Sequence, residues 1–261
     1  MSKLVAVSRE HHAGKKWRRF KDYAFASQVA TVPVVTAELA KAALAMPLAF
    51  LKSGDHYSLV AVLSLLPNRN LFVAPDGRWL VGHIPALFRC YPFRIIRQQE
   101  AGKNILCTDA DYALADDGDP DGVDFFDQDG SLSPVLNSVC DFLSQIEGSL
   151  RATEAAVSAL ATAGVIRPWN LKIKGDNGAE QTVEGLHAIE EGALAGLGDE
   201  AIVNLHKAGG LPIAYAQLLS MNNINIFSDL SKYQARLATP APDNLDQLFG
   251  IMGNDEVIRF N

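Results

Sequence analysis

Between Ser133 and Ala163 the apolar residues Leu136, Val139, Leu143, Ile146, Leu150, Val157 and Leu160 recur at alternating intervals of three and four, broken only at Thr153. With 3.6 residues per turn, that spacing draws one apolar seam down a helix. Pro134 suits a helix start, where its missing N–H has no intrahelical partner anyway, and Gly164 suits the position just past the end. The stretch therefore predicts one long helix. Its seam needs a surface to cover it, either an internal helix or a second protomer, which leaves a homo-oligomer open.

Upstream, short apolar runs alternate with turn residues. Residues 36–46 carry helix formers and stop before Pro47, which disfavours a helical predecessor. The runs 48–52, 57–66, 70–74 and 78–81, separated by Gly-, Asp-, Asn- and Pro-containing turns, read as a meander. Residues 93–98 and 104–107 read as further strands, and 84–91 as a short helix with Pro85 in its first turn. Downstream, 169–174 and 180–189 flank Gly175-Asp-Asn-Gly178 as a hairpin, and helices follow at 199–207, 212–220 and 224–237, with Asp199 as a cap and a loosely held tail after Pro240. The fold class is α+β: a mainly antiparallel N-terminal sheet with helical insertions, then a long helix, a hairpin and a C-terminal helical region. At 261 residues the expectation is a single domain over 1–261 with a subdomain boundary near residue 131, sheet-rich before it and helix-rich after it.

Composition narrows the class of function. No apolar run approaches the roughly 20 residues that span a bilayer, and the basic start has no apolar block with a cleavage site behind it, so the expected compartment is the cytoplasm. Cys90, Cys107 and Cys140 form no Cys-x-x-Cys and fit a reducing compartment as buried free thiols. The net charge of −7 argues against general nucleic-acid binding. That charge is uneven, with bases clustered over 3–21 and aspartates over 109–129.

Several patterns carry candidate chemistry. Asp117-Gly-Asp119-Pro-Asp121-Gly122 matches the opening of a calcium loop, in which alternating carboxylates converge on a hard cation. Gln128 stands where the loop's bidentate glutamate belongs, so an acidic surface loop is the competing reading. Lys15-Lys-Trp17-Arg-Arg-Phe20-Lys21 interleaves cations with aromatics; it suits a phosphate or base, or a solvated arm anchored by Trp17 and Phe20 and neutralised by the aspartate loop. Glu10, His11 and His12 offer metal-ligand types, although adjacent residues rarely face one ion. Arg78, Trp79, Arg89 and Tyr91 are the candidate binding residues of the sheet half, because arginine beside aromatic rings recognises carboxylate or phosphate, or braces a core by stacking. No nucleophile elbow, phosphate loop or metalloprotease motif is present, and no cofactor is identified from the residues.

A set of segments carries a family resemblance: Asp22-Tyr-Ala-Phe-Ala26, Val32-Pro-Val34 with Glu38, Asn70-Leu-Phe72, Asp76-Gly-Arg-Trp79, Ile84-Pro-Ala86 with Arg89, Tyr91-Pro-Phe93, Phe125-Phe-Asp-Gln-Asp-Gly130, Gly185-Leu186 and Leu211 through Ser220. Together they resemble the SapC family. Cys90 stands where that family usually has a second arginine, His83 where an aromatic is common, and His187-Ala188 where a Tyr-Arg pair is familiar. The resemblance implies a bacterial accessory or binding protein for a small molecule or protein partner. Its expected setting is beside TonB-dependent uptake or flavin-dependent halogenase-like enzymes. It supplies no catalytic residue. Two alternatives stand beside it: a metal-assisted enzyme drawing on His11, His12, Glu38 or the aspartate loop, and a surface-layer structural protein.

Overall fold

The computed structural model describes residues 4–97, 104–110, 114–115, 119–174 and 180–238. Its strands are β1 (Leu4–Ala6), β2 (Lys16–Trp17), β3 (Thr31–Pro33), β4 (Leu48–Ser53), β5 (His56–Val62), β6 (Phe93–Arg97), β7 (Asn104–Asp109), β8 (Val123–Asp124), β9 (Ile166–Pro168), β10 (Leu171–Lys174), β11 (Glu180–Val183) and β12 (Leu186–Ile189). The helices are α1 (Arg9–His12), α2 (Leu39–Ala45), α3 (Ala86–Arg89), α4 (Pro134–Thr162), α5 (Glu191–Ala195), α6 (Asp199–Ala208), α7 (Gly210–Ser220) and α8 (Ile226–Ala238). The fold is α+β.

Helix α4 is the long helix read from the seam. Ser133 caps it, its hydroxyl accepting from Leu136 N at 3.4 Å, and Gly164 takes the left-handed φ of +68° beyond the end. Thr153 does not interrupt the buried face. Its hydroxyl donates to Ser149 O at 2.7 Å and accepts from Thr36 N at 2.9 Å, so a polar group sits in the seam fully paired. The covering surface is internal and is more than a helix: α4 packs on β5 and β6 as well as on α6 and α7.

Two main sheets lie along it. One has five antiparallel strands in the order β3-β5-β4-β12-β9, and the other three in the order β1-β7-β6; β2–β8 and β10–β11 are separate pairs. The five-stranded sheet takes strands from both sides of residue 131. A single N-terminal meander is therefore not what forms, because 48–62 joins one sheet and 93–109 the other. The expected strands 70–74 and 78–81 meet only at the Val73–Trp79 bridge. Gly77, at φ +83°, and the bond from Arg78 N to Asp76 Oδ1 at 3.1 Å close the turn there, and the arms separate beyond the two hydrogen bonds of that bridge, from Ala74 N to Arg78 O and from Leu80 N to Phe72 O. Strand β5 stops at Val62 because Leu63 N and Ser64 N both turn to Ala30 O. The expected strand 180–189 splits at Gly185, whose φ of +86° sends β11 and β12 to different partners. Helix α3 is shorter than the 84–91 read from sequence, with Pro85 just outside it, and Gly198 rather than Asp199 takes the cap position of α6. The 175–178 turn, the tail after Pro240 and Asp117 lie outside the described residues.

The apolar interior forms two clusters. The larger one joins the five-stranded sheet to α2, the C-terminal half of α4, and α6 to α8, with Leu48, Ala61, Leu160 and Ile213 fully enclosed. Gln217 threads it, accepting from Ile189 N at 2.9 Å and donating to Leu48 O at 3.2 Å, while Ser220 Oγ accepts from Leu48 N at 2.9 Å. The smaller cluster gathers Trp17, Phe93, Phe125 and the N-terminal half of α4 beneath the three-stranded sheet. No helix among the described residues is long and apolar enough to cross a membrane.

Candidate ligand cavity

The basic arm is built as a strand, and strand alternation decides which of its side chains face inward. Strand β2 pairs with β8, leaving Lys16 outside and Trp17 only 3% exposed, its ring edge-on to Phe93 at 4.8 Å between centroids. Beyond the strand, Arg18 Nε reaches Asp119 Oδ2 at 2.8 Å and Lys21 Nζ reaches Asp121 Oδ2 at 3.5 Å. The acidic loop thus neutralises part of the arm. Arg19 has no ion pair among the described residues, and it borders a cavity of about 600 Å³.

Helix α3 and β6 supply the second wall. Arg89 closes α3 and lays its guanidinium over Phe142 of α4, 4.8 Å from the ring centroid. Tyr91 stacks flat on Phe25 at 3.9 Å, and its hydroxyl donates to Asp109 Oδ2 at 3.3 Å. The third wall is the first two turns of α4, where Val135 and Val139 face the cavity beside Phe142. Volume and lining suit a small organic molecule, since such sites are mostly apolar with few polar groups to orient the guest.

Electrostatics favour one sign. Arg19 and Arg89 contribute to the lining, and among the described residues no Asp or Glu does. Cys90 also borders the space, but burial pushes its thiol up to about 12 against the opposing pull of the neighbouring Arg89, so it stays protonated and is a poor nucleophile. Burial raises Cys107 and Cys140 in the same direction. The indole N–H of Trp17 is buried with no acceptor among the described residues. An orphaned donor of this kind costs about 1–3 kcal/mol, so its retention at a cavity wall calls for an explanation.

A second cavity, of about 540 Å³, lies across Tyr91 and Phe93, which border both, and it carries Asp109, Glu147 and Arg94. Glu38 is placed elsewhere. Only 5% exposed, it accepts from Ala86 N at 2.8 Å and lies 2.9 Å from His83 Nε2. With Trp79 Nε1 donating to His83 O at 2.8 Å, this group ties the start of α2 to the start of α3.

Of the four binding candidates, the structure brings Arg89 and Tyr91 to one cavity and holds the others apart. Trp79 sits among the rings of Tyr23, Phe72 and Phe88, at 5.7, 5.7 and 5.8 Å, and Arg78 is exposed with Nε 2.7 Å from Asp76 Oδ2. Among the calcium-loop candidates, Asp119 accepts from Asp121 N at 3.0 Å and is engaged by Arg18, and the backbone bond first and the guanidinium second lower its pKa. Among the described residues, no three His, Cys, Asp or Glu side chains gather closely enough to hold a metal ion. His12 is buried against Phe125 at 4.7 Å while His11 is exposed, so the two do not present a joint face. Sequence reasoning missed Phe142 and the inward turn of Val135. The available signal was the extra aromatic next to Leu143 on an otherwise aliphatic seam.

The family model of SapC matches residues 7–226. No curated protein and no solved structure matches the chain.

Proposed function

The chain belongs to the SapC family, and from that premise we propose that it is a binding or accessory protein that holds a small organic molecule in the cavity between Trp17, Arg89, Tyr91 and Phe142. In the setting the family resemblance implies, the bound molecule is handed to or shared with an uptake receptor or a flavin-dependent halogenase-like enzyme. The observation that carries the reading is the convergence of three distant segments, 17–20, 89–93 and 134–142, on one mostly apolar space of about 600 Å³. Burial, which raises the pKa of the Cys90 thiol bordering that space, favours holding over covalent chemistry.

The test is a screen of neutral aromatic fragments against the ¹⁵N-labelled protein, following the indole N–H resonance of Trp17. Fragments that bind here shift it. The variant Ser138→Trp, which places a ring at the mouth of the cavity from an exposed position on α4, removes the shift while leaving the melting temperature within about 2 °C. Binding that survives the filled variant, or no fragment binding at all, overturns the proposal.

A further inference from the structure

Resting on that reading of the cavity, we propose that its guest is an aromatic carboxylate, a flat ring system carrying one anionic planar head group. Ring walls define the body. Trp17, Phe20, Tyr91, Phe93 and Phe142 surround the space, and rings of this kind reward a flat aromatic guest through offset and edge-to-face contacts more than a flexible chain.

The head group follows from charge. The chain as a whole carries −7, yet among the described residues this lining has two arginines and no acid. Some of the chain's other bases are neutralised locally, Arg18 by Asp119, Lys21 by Asp121, Arg78 by Asp76 and Arg167 by Glu190. Arg19 and Arg89 have none among the described residues. Arg89 is held over Phe142, which orients its planar fork and shields one face from water. A guanidinium fork matches a carboxylate in plane with two parallel hydrogen bonds, whereas a neutral amide offers it one weaker acceptor.

The experiment compares naphthalene-2-carboxylate, naphthalene-2-carboxamide and octanoate by isothermal titration against the full chain and the variants Arg89→Gln and Arg19→Gln. The carboxylate is expected to bind the wild type about tenfold more tightly than the carboxamide, a difference of ~1.4 kcal/mol. Each variant should bring that ratio toward unity, with carboxylate affinity falling more than carboxamide affinity. Both arginines are exposed, so the variants are expected to melt with the wild type. Equal binding of the two naphthalenes, or a preference that survives both variants, overturns the anionic head group and leaves the cavity standing as a neutral aromatic site. Octanoate binding as tightly as the naphthoate overturns the aromatic body. Failure of all three probes to bind defeats this inference, and the neutral-fragment screen then decides separately whether the cavity is a site at all.

Discussion

The two apolar clusters of this chain share the helix α4 and differ in how completely their buried polar groups are paired. In the larger cluster, Gln217, Ser220, Asn70 and Thr153 are all enclosed and all paired, Asn70 for instance donating to Ala26 O at 3.0 Å and accepting from Phe72 N at 2.9 Å. In the smaller half the two buried side-chain atoms with no partner among the described residues are Trp17 Nε1 and Thr108 Oγ1. The 600 Å³ cavity borders this half, and the 540 Å³ cavity lies between it and β3 of the five-stranded sheet. Full pairing favours stability, and unpaired buried groups mark where the smaller half gives some of it up.

The largest expected effect tests that division along one helix. Leu160→Ala removes a side chain with no exposed surface from the main cluster, and cavity creation there should cost about 2–5 kcal/mol. Val139→Ala, two turns from the start of the same helix and already beside open space, should cost about 1 kcal/mol. Chemical denaturation midpoints of the two variants give the comparison directly. Equal losses would erase the distinction between the clusters.

The second contrast concerns polar groups. Gln217→Leu keeps the volume but strands Ile189 N and Leu48 O inside the sheet, and each orphan costs about 1–3 kcal/mol. Thr108→Val, nearly isosteric, removes a buried hydroxyl that lacks a partner, so it should be neutral or stabilise by up to ~1 kcal/mol. A Thr108→Val variant as damaging as Gln217→Leu would mean that the smaller half is as fully paired as the larger.

How far the sequence disclosed this arrangement depends on the range of the interaction involved. Helix α4 and the helices near 199–207, 212–220 and 224–237 were legible because period and caps are local. Strand partners were not: β12 lies between β4 and β9, far from both in sequence in one case and near in the other, and nothing in Leu186–Ile189 names Phe50 as a neighbour. Turn chemistry was half legible. The 75–77 turn was visible, but not that its arms separate once Trp79 turns toward Tyr23 and Phe88. In the cavity, Arg89 and Tyr91 stood out as arginine beside an aromatic, and the arm at 15–21 stood out by its alternation of cations and rings. Their meeting with Phe142 was hidden because it joins three segments through tertiary packing alone. Arg78 and Trp79 had the same local signature as Arg89 and Tyr91, and only packing separates a paired surface base and a brace from a cavity wall.

The smallest expected effect lies at the far edge of the smaller cluster, where His12 is buried against Phe125. Burial lowers its pKa below the ordinary 6.5, with Lys15 and His11 adding to the shift and a hydrogen bond to Ser8 O opposing it. In the interval between 6.5 and the lowered native value the unfolded chain binds a proton that the native chain does not. Stability contributed by neutral His12 is therefore complete above that interval and declines as pH falls through it. The carboxylates whose pKa values are lowered, Asp76, Asp119 and Asp129, lose their contributions in a more acidic range, so the two effects separate on the pH axis. Denaturation midpoints at pH 7.5, 6.5 and 5.5 should fall more for the wild type than for His12→Gln, which cannot titrate. Parallel pH dependence in the two proteins would show that His12 is protonated as readily in the fold as outside it, and the smaller cluster would then be open to water at that edge as well as at the cavity.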